Sequence, residues 1–177
     1  MSIPSIVVSV LTFPGVIVHE SAQLFFCRVA GLAVFDVRFF RFGTPAGYVV
    51  HEPASEFRKA FMVSMGPFLV NSALSVLFCA TAFLPIWELK LFDLLAYFFY
   101  WLGLSIGMHA FPATQDMKAL WKLLLEEARK RNLLAIASYP IVGVVYVLNL
   151  AGVVWSDLAY GLAIGILVPL VIFNILV

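Results

Sequence analysis

Apolar residues run with few interruptions from about Ile3 to Ala33, and the first ionisable pair, His19-Glu20, falls inside that run rather than at its edge. A straight crossing of a bilayer needs about 20 apolar residues, so this run is too long for one. Pro14-Gly15 stands one turn before His19, where the proline removes a backbone hydrogen bond and predicts a kink or break, with a new helical segment carrying the residues that follow. From Phe35 to Glu56 the pattern changes. Aromatic and β-branched residues in Asp36-Val37-Arg38-Phe39-Phe40-Arg41-Phe42 and Tyr48-Val49-Val50-His51 flank a turn-rich stretch, Gly43-Thr44-Pro45-Ala46-Gly47. This predicts a β-hairpin or re-entrant loop, the plain alternative being an ordinary interfacial loop. Further apolar runs follow at about Arg58 to Leu84, from about Leu91 to Met108, at about Leu133 to Val154 and at Leu158 to Val177. Between the third and fourth lies an amphipathic stretch, about Thr114 to Asn132. It sets Met117, Leu120, Trp121, Leu124 and Leu125 against Lys118, Lys122, Glu126, Arg129 and Lys130. Such a helix lies in the headgroup plane or packs under the bundle.

Composition fixes the class. Of the 177 residues, 63% are hydrophobic and 12% charged, and the mean hydropathy is +1.03; a soluble domain carries about 25% charged residues. The expected fold is an all-α membrane protein in one domain, 1–177, with about five transmembrane helices and a small re-entrant β-hairpin after the first. Its core spans about residues 3 to 117, and residues 118 to 177 add the amphipathic helix and two spans. A net charge of +1 leaves no clustered basic face, which excludes nucleic acid as a partner. The lipid bilayer is the partner that composition demands. No Lys or Arg precedes the first apolar run, and cleaving it as a signal peptide would discard His19-Glu20, so it is read as an uncleaved span. Cys27 and Cys79 sit at or inside apolar segments, as buried small hydrophobes do. Basic residues gather after the first run (Arg28, Arg38, Arg41, Arg58, Lys59) and after the third (Lys118, Lys122, Arg129, Lys130, Arg131). By the positive-inside rule both loops are cytoplasmic, which predicts a multi-pass protein of the cell membrane with its N-terminus outside and C-terminus cytoplasmic.

The candidate chemistry sits where polar groups interrupt apolar runs. On a helix, His19 and Gln23 share a face and Glu20 lies beside it. This is the geometry of the zinc-protease pattern His-Glu-x-x-His, with Gln23 in the place of the second histidine. In Met65-Gly66-Pro67-Phe68-Leu69-Val70-Asn71, Asn71 is a polar group that lipid cannot satisfy and is expected to face protein. It either holds an extended backbone or ties helices together. Asp116, after the break at Pro112, is either a metal ligand from a second helix or a residue that satisfies the free N–H groups of a helix start.

The order His19-Glu20-x-x-Gln23, Gly47-Tyr48-Val49, Gly66-Pro67-x-x-x-Asn71 and Pro112-x-x-x-Asp116 resembles the site-2 protease family of intramembrane zinc metalloproteases, over about residues 14 to 117. The resemblance implies zinc as cofactor, with His19, Gln23 and Asp116 at the ligand positions and Glu20 as general base. It implies that Gly47, Tyr48, Val49 and Asn71 hold a transmembrane peptide or membrane-protein substrate as an extended strand. The implied reaction is hydrolysis of a peptide bond within the membrane, Glu20 taking a proton from zinc-bound water. Three positions depart from the family: Gln23 replaces a ligand histidine, His109 stands where the family has Asn, and Met117 where Gly follows the Asp. A carboxamide is a poor zinc ligand beside imidazole. Either His109 or His51 substitutes as the ligand, or the chain is a pseudoprotease that binds membrane proteins without cutting them, or Gln23 was introduced to trap an inactive enzyme. A third reading makes His19, Glu20 and Asp116 an ion or proton relay of a small transport subunit.

Overall fold

The computed structural model describes residues 3–150 and 154–176. The first apolar run is broken where proline predicts it: α1 (Ile3–Leu11) ends at Thr12 and α2 (Phe13–Val29) begins, with Pro14 in its first turn, where a missing N–H costs nothing. A two-stranded antiparallel hairpin follows, β1 (Val34–Arg38) and β2 (Tyr48–His51), paired Arg38 to Tyr48 and Val37 to Val49. The aromatic run Phe39 to Phe42 is outside β1 and forms part of the connection. Next come α3 (Phe57–Phe83), continued by a wider turn at Leu84–Glu88, then α4 (Leu94–Met108), α5 (Thr114–Arg129) and α6 (Leu133–Leu150). The chain ends in α7 (Val154–Leu162), which a second wide turn (Ala163–Leu167) joins to α8 (Val168–Leu176).

Among the described residues, three helices are long and apolar enough to cross a membrane: Phe57–Glu88, Leu133–Leu150 and Asp157–Ile175. The other two expected spans fall short of that length for local reasons. The first divides at Thr12 into helices of 9 and 17 residues, and α4 has 15 residues between its Asp93 cap and the break at His109. Large apolar side chains stay uncovered on α6 and α8, among them Ile141, Val144, Val147, Val171 and Ile175. These helices are apolar beyond what the protein itself buries, which is the composition hydrocarbon suits.

The contacts fix the direction of each helix. α3 and α4 are antiparallel, with Phe78 on Phe99, Trp87 on Tyr100, and Asn71 bonded to the carbonyl of His109. α2 runs alongside α4 in the same sense, since Leu11 accepts from Trp101 and Gly15 donates to Ser105. α5 leaves from the end of α4, and α6 returns to it, the Asn149 amide donating to the carbonyl of Pro112 at 2.7 Å. The α5–α6 pair therefore makes no net advance. α7 and α8 then run back along α3: Tyr160 meets Ser72, Gly165 lies against Cys79, and Phe173 stacks on Phe83. The start of α2 and the end of α8 consequently lie at the same end of the bundle. Five alternating crossings would have put these two helix ends at opposite ends of the bundle.

The core sits where α5 meets α3 and α6. Met117, Leu120 and Leu124, on the apolar face of α5, are fully buried against Phe57, Ala60, Met65, Phe68, Val142 and Val145. Burying a large apolar side chain contributes roughly 1.5–3 kcal/mol, which holds α5 against its neighbours while Lys118, Lys122, Glu126 and Arg129 stay exposed. Of the two expected placements of the amphipathic stretch, packing on the bundle is the one observed. A smaller cluster of Cys27, Ala30, Val49 and Val63 fastens the hairpin to α2 and α3.

Candidate functional site

The 3.6-residue period of α2 brings His19 and Gln23 to one buried face, and Glu20 is buried beside them. Asp116 reaches the same place from the first turn of α5: the Gln23 amide Nε2 donates to Asp116 Oδ2 at 2.9 Å. Residues 93 positions apart are thus in direct contact. The hairpin closes a third side. Gly47 lies so close to α2 that a Cβ there would overlap Glu20 Cγ and the Val16 side chain. This is a close approach that only glycine permits.

His51, at the end of β2, comes within 3.4 Å of Asp116 Oδ1, and its other ring nitrogen lies 2.9 Å from the carbonyl of Glu52. The contact with the Asp116 carboxylate holds the His51 pKa above the ordinary imidazole range. Tyr48 lines the cleft but turns its hydroxyl to Asp36 Oδ2 at 2.8 Å, under the Arg41 guanidinium. That hydrogen bond keeps the exposed Asp36 carboxyl below its usual range.

His109 takes a different partner. The Thr12 hydroxyl donates to the carbonyl of Val8 at 2.7 Å and so has no proton left for the imidazole 2.8 Å away. His109 Nε2 must therefore be the donor to Thr12 Oγ1. The residue ties the α1–α2 break to the end of α4. Ser105 completes the tie, donating to the carbonyl of Thr12 at 2.9 Å and accepting from the N–H of Gly15 at 2.9 Å. Asn71, fully buried, braces the same turn through the carbonyls of Ile106 and His109.

These elements enclose one cavity of about 820 Å³, lined by His19, Glu20, Gln23, Gly47 to His51, Ser64, His109 and Asp116. Of the residues to which the resemblance gives a metal, base or substrate role, Asn71 is the one absent from its walls. Within it, His19 Nδ1 and Glu20 Oε2 are buried without a protein partner. Asp157, which the sequence reading passed over at the edge of the last apolar run, also lines the cavity. So does Ser9 of α1.

A zinc centre needs at least three convergent His, Cys or carboxylate donors and an open position for water. Among the described residues no group of three or more His, Cys, Asp and Glu side chains is arranged to hold a metal. Gln23 presents its amide to Asp116 as a hydrogen-bond donor. A residue that donates to the carboxylate is not a third ligand beside it, so the donor set as it stands does not fit zinc. What the arrangement offers is a largely apolar cleft with a strand along one wall and carboxylates and imidazoles at its base. No family description, curated protein or solved structure matches the chain.

Proposed function

We propose that this chain is a membrane protein of the site-2 protease type whose cleft takes up one extended segment of a membrane protein. As the sequence stands, it is one imidazole short of a zinc peptidase and holds that segment without cutting it. The observation that carries this reading is the Gln23 to Asp116 hydrogen bond at the base of the cavity. It joins two of the positions that the resemblance gives to the metal, while β2 lies along the wall where such a segment would pair. An unwound membrane segment exposes N–H and C=O groups that lipid cannot satisfy, and a neighbouring strand supplies partners for them.

The basic residues of the hairpin and of the start of α3 lie at one end of the bundle, which supports a cytoplasmic orientation for that end. The start of α2 and the end of α8 then face the other side.

A second reading, cleavage by a metal form, is favoured by one specific contact, His51 within 3.4 Å of Asp116. Metal analysis of the purified protein together with incubation of a single-span peptide separates the two. The binding reading expects peptide bound intact and no stoichiometric zinc in the unaltered chain. Gln23→His should raise the content to about one zinc per chain, two histidines at i and i+4 joining Asp116. Zinc and cleavage in the unaltered chain, both lost in His51→Ala, would establish the second reading instead.

A further inference from the structure

The outer face of α5 is a cationic stripe. At about 100° per residue, Lys118, Lys122 and Arg129 fall within an arc of about 40°, opposite the buried Met117, Leu120 and Leu124. All three are exposed, as are Lys130 and Arg131 in the turn that follows. Lys130 is paired with Glu127 at 2.7 Å, but among the described residues no carboxylate pairs with Lys118, Lys122, Arg129 or Arg131. Lys118 and Lys122 stand four apart on the helix, a spacing at which like charges repel, and Glu126 is the one exposed acid of α5. Cations left together on one surface attract an anionic partner from outside the protein.

Depth and the adjoining surface identify that partner. α5 packs in one cluster with Phe57 and Ala60 of the first turn of α3, and the two residues between them are Arg58 and Lys59. The apolar segment that begins at Phe57 has 32 residues, about 48 Å at about 1.5 Å each, against hydrocarbon about 30 Å thick. Its surplus length, with Arg58 and Lys59, belongs in the headgroup zone, and α5 lies beside it. Just after Lys130 and Arg131, Leu133 is 81% and Leu134 50% exposed, and Ile136 and Tyr139 of α6 are exposed as well. An acidic protein segment would satisfy the cations and leave these apolar side chains in water. Anionic lipid covers both, with phosphates on the basic groups and acyl chains on the apolar ones.

We propose that the outer face of α5 and the turn after it form a docking surface for the headgroups of anionic phospholipids, with Lys118, Lys122, Arg129 and Arg131 on the phosphates and Leu133 and Leu134 beneath them. None of these cations lines the cleft, so the surface is separate from the candidate site and stands whichever reading of that site holds.

The full chain in mild detergent is mixed with equal amounts of phosphatidylglycerol and phosphatidylcholine of the same acyl chains, and the lipids that stay bound after washing are counted by mass spectrometry. Phosphatidylglycerol should be retained over phosphatidylcholine by at least about tenfold, and the ratio should fall when the wash contains more salt. Replacing Lys118, Lys122 and Arg129 together by Gln should bring the ratio down toward one, whereas Lys118→Arg combined with Lys122→Arg should keep it. The single variants Lys118→Gln, Lys122→Gln and Arg129→Gln change exposed positions and should each lower it, which gives the answer if the triple variant does not fold. Equal retention of the two lipids by the unaltered chain, or an undiminished ratio in the Gln variants, overturns the inference. So does a polyglutamate peptide that binds this face and excludes the lipid, which would make it a surface for an acidic protein.

Discussion

Asn71 is fully buried in α3, and its amide nitrogen donates to the carbonyl of Ile106 at 3.3 Å and of His109 at 3.0 Å. Both carbonyls belong to the end of α4; that of Ile106 also accepts the His109 N–H at 3.2 Å, while that of His109 has the Asn71 amide. Replacing Asn71 by Ala strands the His109 carbonyl, and an unsatisfied buried group costs about 1–3 kcal/mol. Thermal unfolding of Asn71→Ala in detergent should therefore start well below that of the unaltered chain; an unchanged midpoint would mean the amide is free to serve a ligand instead. From sequence both roles for Asn71 stay open, because an amide in an apolar run must find some partner, and which one is decided by a helix far away in the chain. For Gln23 and Asp116 the outcome was more legible. The i, i+4 spacing of His19 and Gln23, with a carboxylate after the break at Pro112, was enough to bring the two elements together. Asp157 was not legible, since an acid at the margin of an apolar run looks like an interfacial residue until the helix beside it is known.

Among the elements, the break between α1 and α2 is held by a set of side-chain to backbone hydrogen bonds, beside the packing of Phe13 on Trp101. Pro14 accounts for a break, but Thr12, Ser105 and His109 fix it in place through the Thr12 carbonyl, the Gly15 N–H and the Thr12 hydroxyl. Gly15 is required there, since any Cβ would overlap the carbonyl of Ser105. The fully buried Ser105 hydroxyl serves both backbone groups at once. Ser105→Ala removes only that hydroxyl and leaves the Gly15 N–H and the Thr12 carbonyl with their mutual 3.1 Å hydrogen bond alone, a loss of about 0.5–1.5 kcal/mol for each bond removed. The expected result is faster amide exchange at Gly15, by roughly tenfold or more, with little change in α6. Equal exchange in the two proteins would show that the junction is held elsewhere. The proline was visible in the sequence, but Ser105, 90 positions from Gly15, carried no mark of its task.

For the whole molecule, hydropathy located the helices and turn chemistry located the hairpin, because each is a local property of composition. Direction is not local. An apolar run of 18 residues in α6 looks the same whether it crosses a membrane or returns beside its neighbour. The tie from Asn149 to Pro112 and the stacking of Phe173 on Phe83 fix which way α6 and α8 run beside their neighbours. α5 and α6 go out and come back, and α7–α8 follows α3 toward the end of the bundle where α2 begins. In the orientation proposed above, with the basic hairpin end of α3 cytoplasmic, the end of α8 faces outward. A reporter active only outside the cell, fused after Val177, should give a strong signal. The same reporter inserted between Lys130 and Asn132 should be silent, since the basic residues of α5 beside that turn favour the cytoplasmic side in the proposed orientation. A silent fusion after Val177 with a cytoplasm-active reporter that signals there would instead mean that α6 crosses the membrane independently, and would overturn the shared placement of the two ends.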